Sequence, residues 1–343
     1  MTTEDPLNST DLPNPAALIE LATAYWGSAT LVACVRLRLP TLLAEGPATA
    51  EEVSRRASTD PVATDALLAA MSNVGLCSKG ADGRFANTPM AEAFLVEGRP
   101  GFLGPALLYN GDVFPLWAKL DDVVRSGKVS ESPEQYLGAD DERTRNFVYG
   151  MHHRALGVGR AVAAVVDLSG RHRLADVGGG PGTYSALLVQ KTPGLTAEVL
   201  DLPGVVTFAR EIVAQLGAAG SVTCTPFDYT RDALPGRYDA FLISGVLHRE
   251  QPDGVRRIFR KVADAAEPGA VLWLSDVMLD DDRVGPLFGA MFQLNMRVLS
   301  HGGRCHAVAE QRAWLDEVGF DVTAVHRLPA PINYTLLRAV RRA

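Results

Sequence analysis

From about residue 155 onward the chain alternates short, strongly apolar runs with helix-length amphipathic segments, and that alternation leaves few folds open. The runs are HRLADVG, LTAEVLDL, VTCTPFD, YDAFLISG and AVLWLSDVML, with a closing pair, VTAVHRLP and YTLLRAV. Helix-like segments over 183–191, 205–216 and 253–266 separate them. Strand–helix repetition predicts a mainly parallel sheet covered on both faces. The last two runs are joined across Pro329-Ala-Pro331, so they are expected to lie antiparallel at one edge.

The front of the chain has a different period. Residues 14–95 read as helices, and 343 residues are enough for about two domains. The segment 15–46 carries Leu18, Leu21, Tyr25, Leu31, Cys34 and Val35 on more than one face. A helix apolar nearly all round needs burial on several sides, which predicts a subunit interface. Thr49 and Glu52 have capping-box spacing. A helix with Ala63, Leu67, Leu68 and Met71 follows, then two short strand-like runs around Gly80-Ala-Asp-Gly83. Helix–turn–helix plus hairpin is a winged-helix pattern. We therefore place a mostly helical winged-helix dimerisation domain over 1–100 and an α/β domain over 101–343.

A winged helix raises the question of DNA. Only Arg55, Arg56, Lys79 and Arg84 are available there for phosphates, and the whole chain carries a net charge of −7, so no nucleic-acid partner is expected. Four cysteines lie far apart without a CxxC pair, which fits a reducing cytoplasm. The acidic, Pro/Asn/Ser-rich start, residues 1–15, reads as a frayed leader and not as a targeting signal. The longest apolar stretch, 22–35, is interrupted by Gly27 and Ser28 and is too short to cross a bilayer.

The stretch LADVGGGPGTYS sets Gly178, Gly180 and Gly182 between a strand and a helix. Glycines there let the backbone approach a ligand and aim amides at it. A dinucleotide site would use G-x-G-x-x-G against a pyrophosphate. Here the spacing is G-x-G-x-G, and Asp176 would repel a pyrophosphate while suiting an ammonium. Asp201 ends the next strand, where an acid can accept ribose hydroxyls. Asp228 ends the third, within reach of an adenine amino group, with Phe227 or Tyr229 packing on the ring. An acid, a glycine loop and two more acids on successive strand ends describe S-adenosyl-L-methionine better than a nicotinamide dinucleotide.

With DVGGGPG, VLDLPGVV, VLH and EPGA in this order, the chain resembles the S-adenosylmethionine-dependent small-molecule O-methyltransferases of the caffeate, hydroxyindole and antibiotic-tailoring type. The resemblance covers nearly the whole chain. It implies a Rossmann-like seven-stranded methyltransferase domain, an intertwined homodimer and a role in secondary metabolism. It assigns the cofactor to Asp176, Gly178, Gly180, Gly182, Asp201, Leu202, Asp228, Tyr229 and Ser244, and the general base to His248. A phenol, pKa roughly 10, is a poor nucleophile while protonated, whereas a neutral imidazole can take its proton as the methyl moves. A small aromatic or enolic acceptor follows; C- or N-methylation, or a non-methylating step on the same site, is the alternative.

Two departures stand out. Arg249-Glu250 replaces the Asp-Trp that follows the base in many members, and Cys305 stands where plant-type members carry a glutamate that orients the histidine. Glu250 or His306 is then expected to orient His248, unless the chemistry itself has drifted. His248, His301, Cys305 and His306 match no compact metal motif, so no metal is expected. The acceptor wall is expected from Met291, Phe292, Asn295 and Met296 on one helix and from Phe147, Met151 and His152 on another. Phe102, Tyr109, Phe114 and Trp117 add to it.

Overall fold

The structure is a computed structural model and describes residues 14–129, 136–330 and 332–343. The leader expected at the start falls, up to residue 13, outside the described residues, as does Pro331. The chain divides into two compact units, Met1–Leu107 and Leu108–Ala343.

The first unit holds α1 (Ala16–Thr23), α2 (Tyr25–Arg36), α3 (Leu39–Leu43), α4 (Ala50–Ala57), α5 (Pro61–Asn73), a hairpin of β1 (Cys77–Lys79) and β2 (Phe85–Asn87), and α6 (Pro89–Phe94). Its local signals are met in detail. Thr49 Oγ1 accepts from the Glu52 amide and Glu52 Oε2 accepts from the Thr49 amide at 2.9 Å, closing the box that starts α4. Asp60 caps α5 through the Ala63 amide, with Pro61 in the first helical position. Phe85, Leu39, Leu68 and Met71 form a buried centre.

Residues Ala16–Arg36 read as one apolar helical run of 21 residues, only 11% of its most apolar window buried. By length and composition alone such a run is long enough to cross a bilayer, being longer than the stretch 22–35 read from the sequence. Its exposed side carries Leu18, Ile19, Leu21, Tyr25 and Trp26.

α7 (Gly104–Trp117) leads into the second unit, followed by α8 (Leu120–Ser126) and the long α9 (Asp141–Val165). Then come β3 (Arg173–Val177), α10 (Thr183–Lys191), β4 (Thr196–Asp201), α11 (Pro203–Gln215), β5 (Val222–Pro226), β6 (Tyr238–Ser244), α12 (Pro252–Ala265) and β7 (Ala266–Asp276). α13 (Leu287–Leu299), α14 (Val308–Glu317), β8 (Phe320–Arg327) and β9 (Thr335–Arg341) complete it. The seven strands run in the order β5-β4-β3-β6-β7-β9-β8. β3 to β7 pair in parallel, and β9 is antiparallel to both β7 and β8.

The period of two sorts side chains between two layers. Ala175, Val177, Phe241, Ile243, Leu272 and Leu274 face Val255, Ile258 and Phe259 of α12 and Trp314 of α14. Leu174, Val199, Ala240, Leu242 and Trp273 face Val162 of α9, Ala186 of α10 and Ala209 of α11. The parallel strands spread outward in both directions from the β3–β6 pair, to β4 and β5 on one side and β7 on the other. The crevice between their carboxyl ends is therefore the switch point where a doubly wound sheet binds ligands.

Candidate active site

Backbone geometry alone builds the glycine loop. Gly178 has φ +68° and sits so close to the turn after β6 that a Cβ would lie 2.5 Å from Val246 Cγ2. Gly180 has φ +54°, but its Cβ direction opens onto free space. Side chains are thus excluded beneath the loop by the protein, and above it by the room a ligand needs.

The acids below the loop are held in distinct ways. Asp176 is buried; its Oδ2 accepts from Ser185 Oγ at 2.7 Å, while Oδ1 has no partner among the described residues. Burial pushes its carboxyl up to about 7, against the Ser185 bond, and Asp201 adds to the rise. Asp201 Oδ2 accepts from the Gly180 amide and Oδ1 from the Leu202 amide, each at 2.7 Å. Burial raises its pKa, with both amides and the Arg249 charge acting in opposition. Each Asp201 oxygen keeps a lone pair for a vicinal diol. A buried acid with one oxygen unpaired among the described residues, an acid bonded to the loop and an open Gly180 face together fit a cationic nucleoside cofactor.

Asp228 is turned into its own loop: Oδ1 accepts from the Thr230 amide and hydroxyl, and Arg231 pairs with Oδ2 at 3.5 Å. Phe227 is buried in the core and Tyr229 half-buried. Tyr229 donates to Glu250 Oε1 at 3.2 Å, and its carbonyl accepts from Lys261. Ser244 ends β6 opposite Ser275.

His248 lies on a 3-10 turn, Leu247–Arg249, just past β6. Its Nδ1 is 2.5 Å from Asp276 Oδ1, and its amide donates to Asp276 Oδ2 at 3.3 Å. Asp276 Oδ1 also accepts from the Val277 amide at 2.8 Å. A carboxylate so placed puts the ring proton on Nδ1 and leaves Nε2 with a free lone pair. Phe292 stands edge-on to the imidazole at 4.9 Å between centroids. The partner of the His248 ring is Asp276, whereas Glu250 and His306, the two residues expected to orient it, bond elsewhere. Glu250 is engaged by Tyr229, and His306 Nε2 faces the carbonyl oxygens of Leu247 and Glu250. Sequence reasoning missed Asp276, although it closes an apolar strand just as Asp176 does.

Cys305 is buried against Val277 and Leu279, and burial pushes its thiol up to about 12. It remains a neutral apolar filler. Among the described residues no cluster of three metal-ligating side chains occurs.

The acceptor-wall residues separate. Phe292 meets the base, and Asn295 Oδ1 accepts from Trp117 Nε1 at 2.9 Å, tying α13 to α7. Met296 is buried, whereas Met291 is 47% exposed. On α9, Phe147 packs edge-on to Tyr109 at 5.5 Å and Met151 is half-buried. His152 is buried with Nδ1 2.8 Å from Thr183 Oγ1, at the start of α10. Burial, helped by His153, pushes its pKa down to about 4, so its ring is a neutral brace beside the glycine loop.

Comparison with known proteins agrees with this geometry. A family model described as an O-methyltransferase domain matches residues 117–321, and one described as an O-methyltransferase dimerisation domain matches 19–97. The chain is 32% identical to the 3-hydroxy-5-methyl-1-naphthoate 3-O-methyltransferase of Streptomyces sahachiroi, over 92% of either chain. It is 31% identical to the tetracenomycin polyketide synthesis 8-O-methyl transferase TcmO of Streptomyces glaucescens, over 97% of this chain and 99% of that one. Human N-acetylserotonin methyltransferase, solved in complex with S-adenosylmethionine, superposes with a TM-score of 0.86 at 22% identity, over 98% of this chain and 100% of that one.

Proposed function

The chain belongs to the S-adenosylmethionine-dependent O-methyltransferase family, and from that premise we propose that it methylates a hydroxyl of a small aromatic acceptor, with His248 as general base. The carrying observation is the 2.5 Å contact between His248 Nδ1 and Asp276 Oδ1. It leaves Nε2 as the proton acceptor beside an aromatic wall. The acceptors printed in the names of its relatives, a hydroxynaphthoate and a polyketide, are hydroxylated ring systems of this kind.

When bound, S-adenosylmethionine supplies an electrophilic methyl on a sulfonium. Asp201 would hold the ribose and the Gly178–Gly182 loop the methionine part, over the buried carboxylate of Asp176; Leu202, Asp228, Tyr229 and Ser244 line the rest. His248 Nε2 takes the phenolic proton as the oxygen–methyl bond forms and the sulfur–methyl bond breaks. Asp276 keeps the ring in the required tautomer and faces the imidazolium that results. Phe292 and Asn295 confine the acceptor, with Phe147, Met151, His152, Met291 and Met296 expected around it. The protein works as a homodimer in the cytoplasm, with no nucleic acid or membrane as partner.

A panel of hydroxynaphthalenes with labelled S-adenosylmethionine tests this reading. His248→Ala is expected to lower kcat by about 10²–10⁴-fold while calorimetric binding of the demethylated cofactor stays unchanged. Near-wild-type turnover by the variant, or label recovered on carbon or nitrogen, would count against the proposal.

A further inference from the structure

The segment after α13 grips the turn that carries the base. The Leu247 carbonyl accepts from His306 Nε2 at 3.1 Å, the His248 carbonyl from the Arg304 amide at 2.8 Å, the Arg249 carbonyl from Ser300 Oγ at 3.4 Å and the Glu250 carbonyl from His306 Nε2 at 3.0 Å. In return Gln251 donates its side-chain amide to the Gly302 carbonyl. Four consecutive carbonyls are thus held from one loop. We propose that His306 is a positioning residue, whose forked bond from Nε2 to the carbonyls on either side of His248 sets where the base stands. This rests on the reading of His248 as base.

The residue type itself argues for the role. His306 is 2% exposed, packs edge-on to Trp314 at 5.1 Å, and leaves its buried Nδ1 without a partner among the described residues. A leucine would fill the same space with no unsatisfied nitrogen. An imidazole is explained here by what Nε2 does. Burial lowers its pKa, so the ring is neutral, and two carbonyl partners require the proton to sit on Nε2.

Each end of the bracket bears on the active geometry. The Leu247 oxygen also accepts from the Glu250 amide to close the 3-10 turn. Asp276 fixes the ring and amide of His248, and His306 fixes the turn through the Leu247 and Glu250 carbonyls. Losing one of the two anchors lets the imidazole rotate about the other. A misplacement of about 1 Å costs a positioned proton acceptor up to roughly 100-fold in rate.

The test compares His306→Leu, His306→Gln and Gln251→Ala with the wild type. Turnover of 2,3-dihydroxynaphthalene, calorimetric binding of the demethylated cofactor and amide hydrogen exchange over 245–252 are measured. His306→Leu is expected to lower kcat roughly 10–100-fold, to change cofactor Kd by less than about twofold, and to speed exchange in the turn. Glutamine, which offers an amide donor near Nε2, is expected to restore most of both. Gln251→Ala loosens the same clamp from the surface and speaks even if the leucine variant fails to fold; a smaller fall in kcat with unchanged cofactor Kd is expected. Unchanged exchange and kcat in His306→Leu and Gln251→Ala, a glutamine variant as impaired as the leucine one, or a loss carried by cofactor Kd would each overturn the proposal. The exchange arm needs no turnover: an enzyme that methylates no hydroxynaphthalene defeats the proposed function, and the exchange result still decides the clamp.

Discussion

Two side chains that brace the first turn of α10 respond to acid in opposite senses. Asp176 bonds Ser185 and His152 bonds Thr183. Asp176 has a folded pKa raised to about 7, so the folded protein binds more protons than the unfolded chain between its ordinary value and 7, and stability falls as pH rises through that window. His152 has a folded pKa lowered to about 4; its contribution is present above its ordinary value and is lost as pH falls toward 4. Asp176→Asn keeps an acceptor for Ser185 and removes the buried charge. Its ligand-free melting temperature is expected to exceed the wild type's at pH 8 and to match it near pH 4, while cofactor affinity drops at both. A variant that melts below the wild type at pH 8 would show that the carboxylate is not a source of instability. The role of these two residues in the loop's footing depends on contacts 9 and 31 positions away. Asp176 is legible as a strand-end acid before the glycines, but nothing local in MHHRAL distinguishes a brace from a wall residue.

At the scale of elements, what could be read and what could not follow from the range of the forces involved. The α4 capping box, the hairpin and the strand–helix alternation are encoded within a few residues each, and all are recovered. Asp276 is not local. It meets His248 because β6 and β7 are paired in register, Ser244 opposite Ser275, which carries the next residue of β7 to the base of the turn after β6. Only a strand order supplies that neighbour. Likewise the resemblance of HGGRCH to a glutamate-bearing segment set Cys305 at the orienting position with His306 as one of two substitutes, whereas the contacts this region makes with the turn run through Ser300, the Arg304 amide and His306. The link between α7 and α13 is also tertiary, and it sets an expectation. Trp117→Phe removes the donor to Asn295, a loss of about 1 kcal/mol. It is expected to raise the acceptor KM several-fold, with kcat and cofactor Kd almost unchanged. A fall in kcat at constant KM would place this bond in the reacting geometry instead.

For the whole molecule the decisive quantity is apolar area left in water. Leu18, Leu21 and Trp26 are 72%, 71% and 60% exposed, and clustered apolar surface of this kind marks an interface. The match to a dimerisation domain over 19–97 favours a second copy as the partner. Sedimentation at micromolar concentration is expected to return a dimer, and Leu21→Glu combined with Trp26→Glu a monomer that keeps its helical content. A monomeric wild type, or association with neutral lipid vesicles in place of dimerisation, would remove this reading. The strand order has a consequence of another kind. Of the residues expected to grip the cofactor, all but Ser244, which closes β6, lie within 176–229 and precede that strand, and the base with its two anchors, 248–306, follows it. The seam falls in the exposed stretch 230–236, crossed by the Tyr229–Glu250 and Lys261–Tyr229 bonds. Recombination there between two members of the family would transmit one parent's glycine loop and acids together with the other's proton-transfer apparatus, leaving only Ser244 of the cofactor set on the far side of the seam.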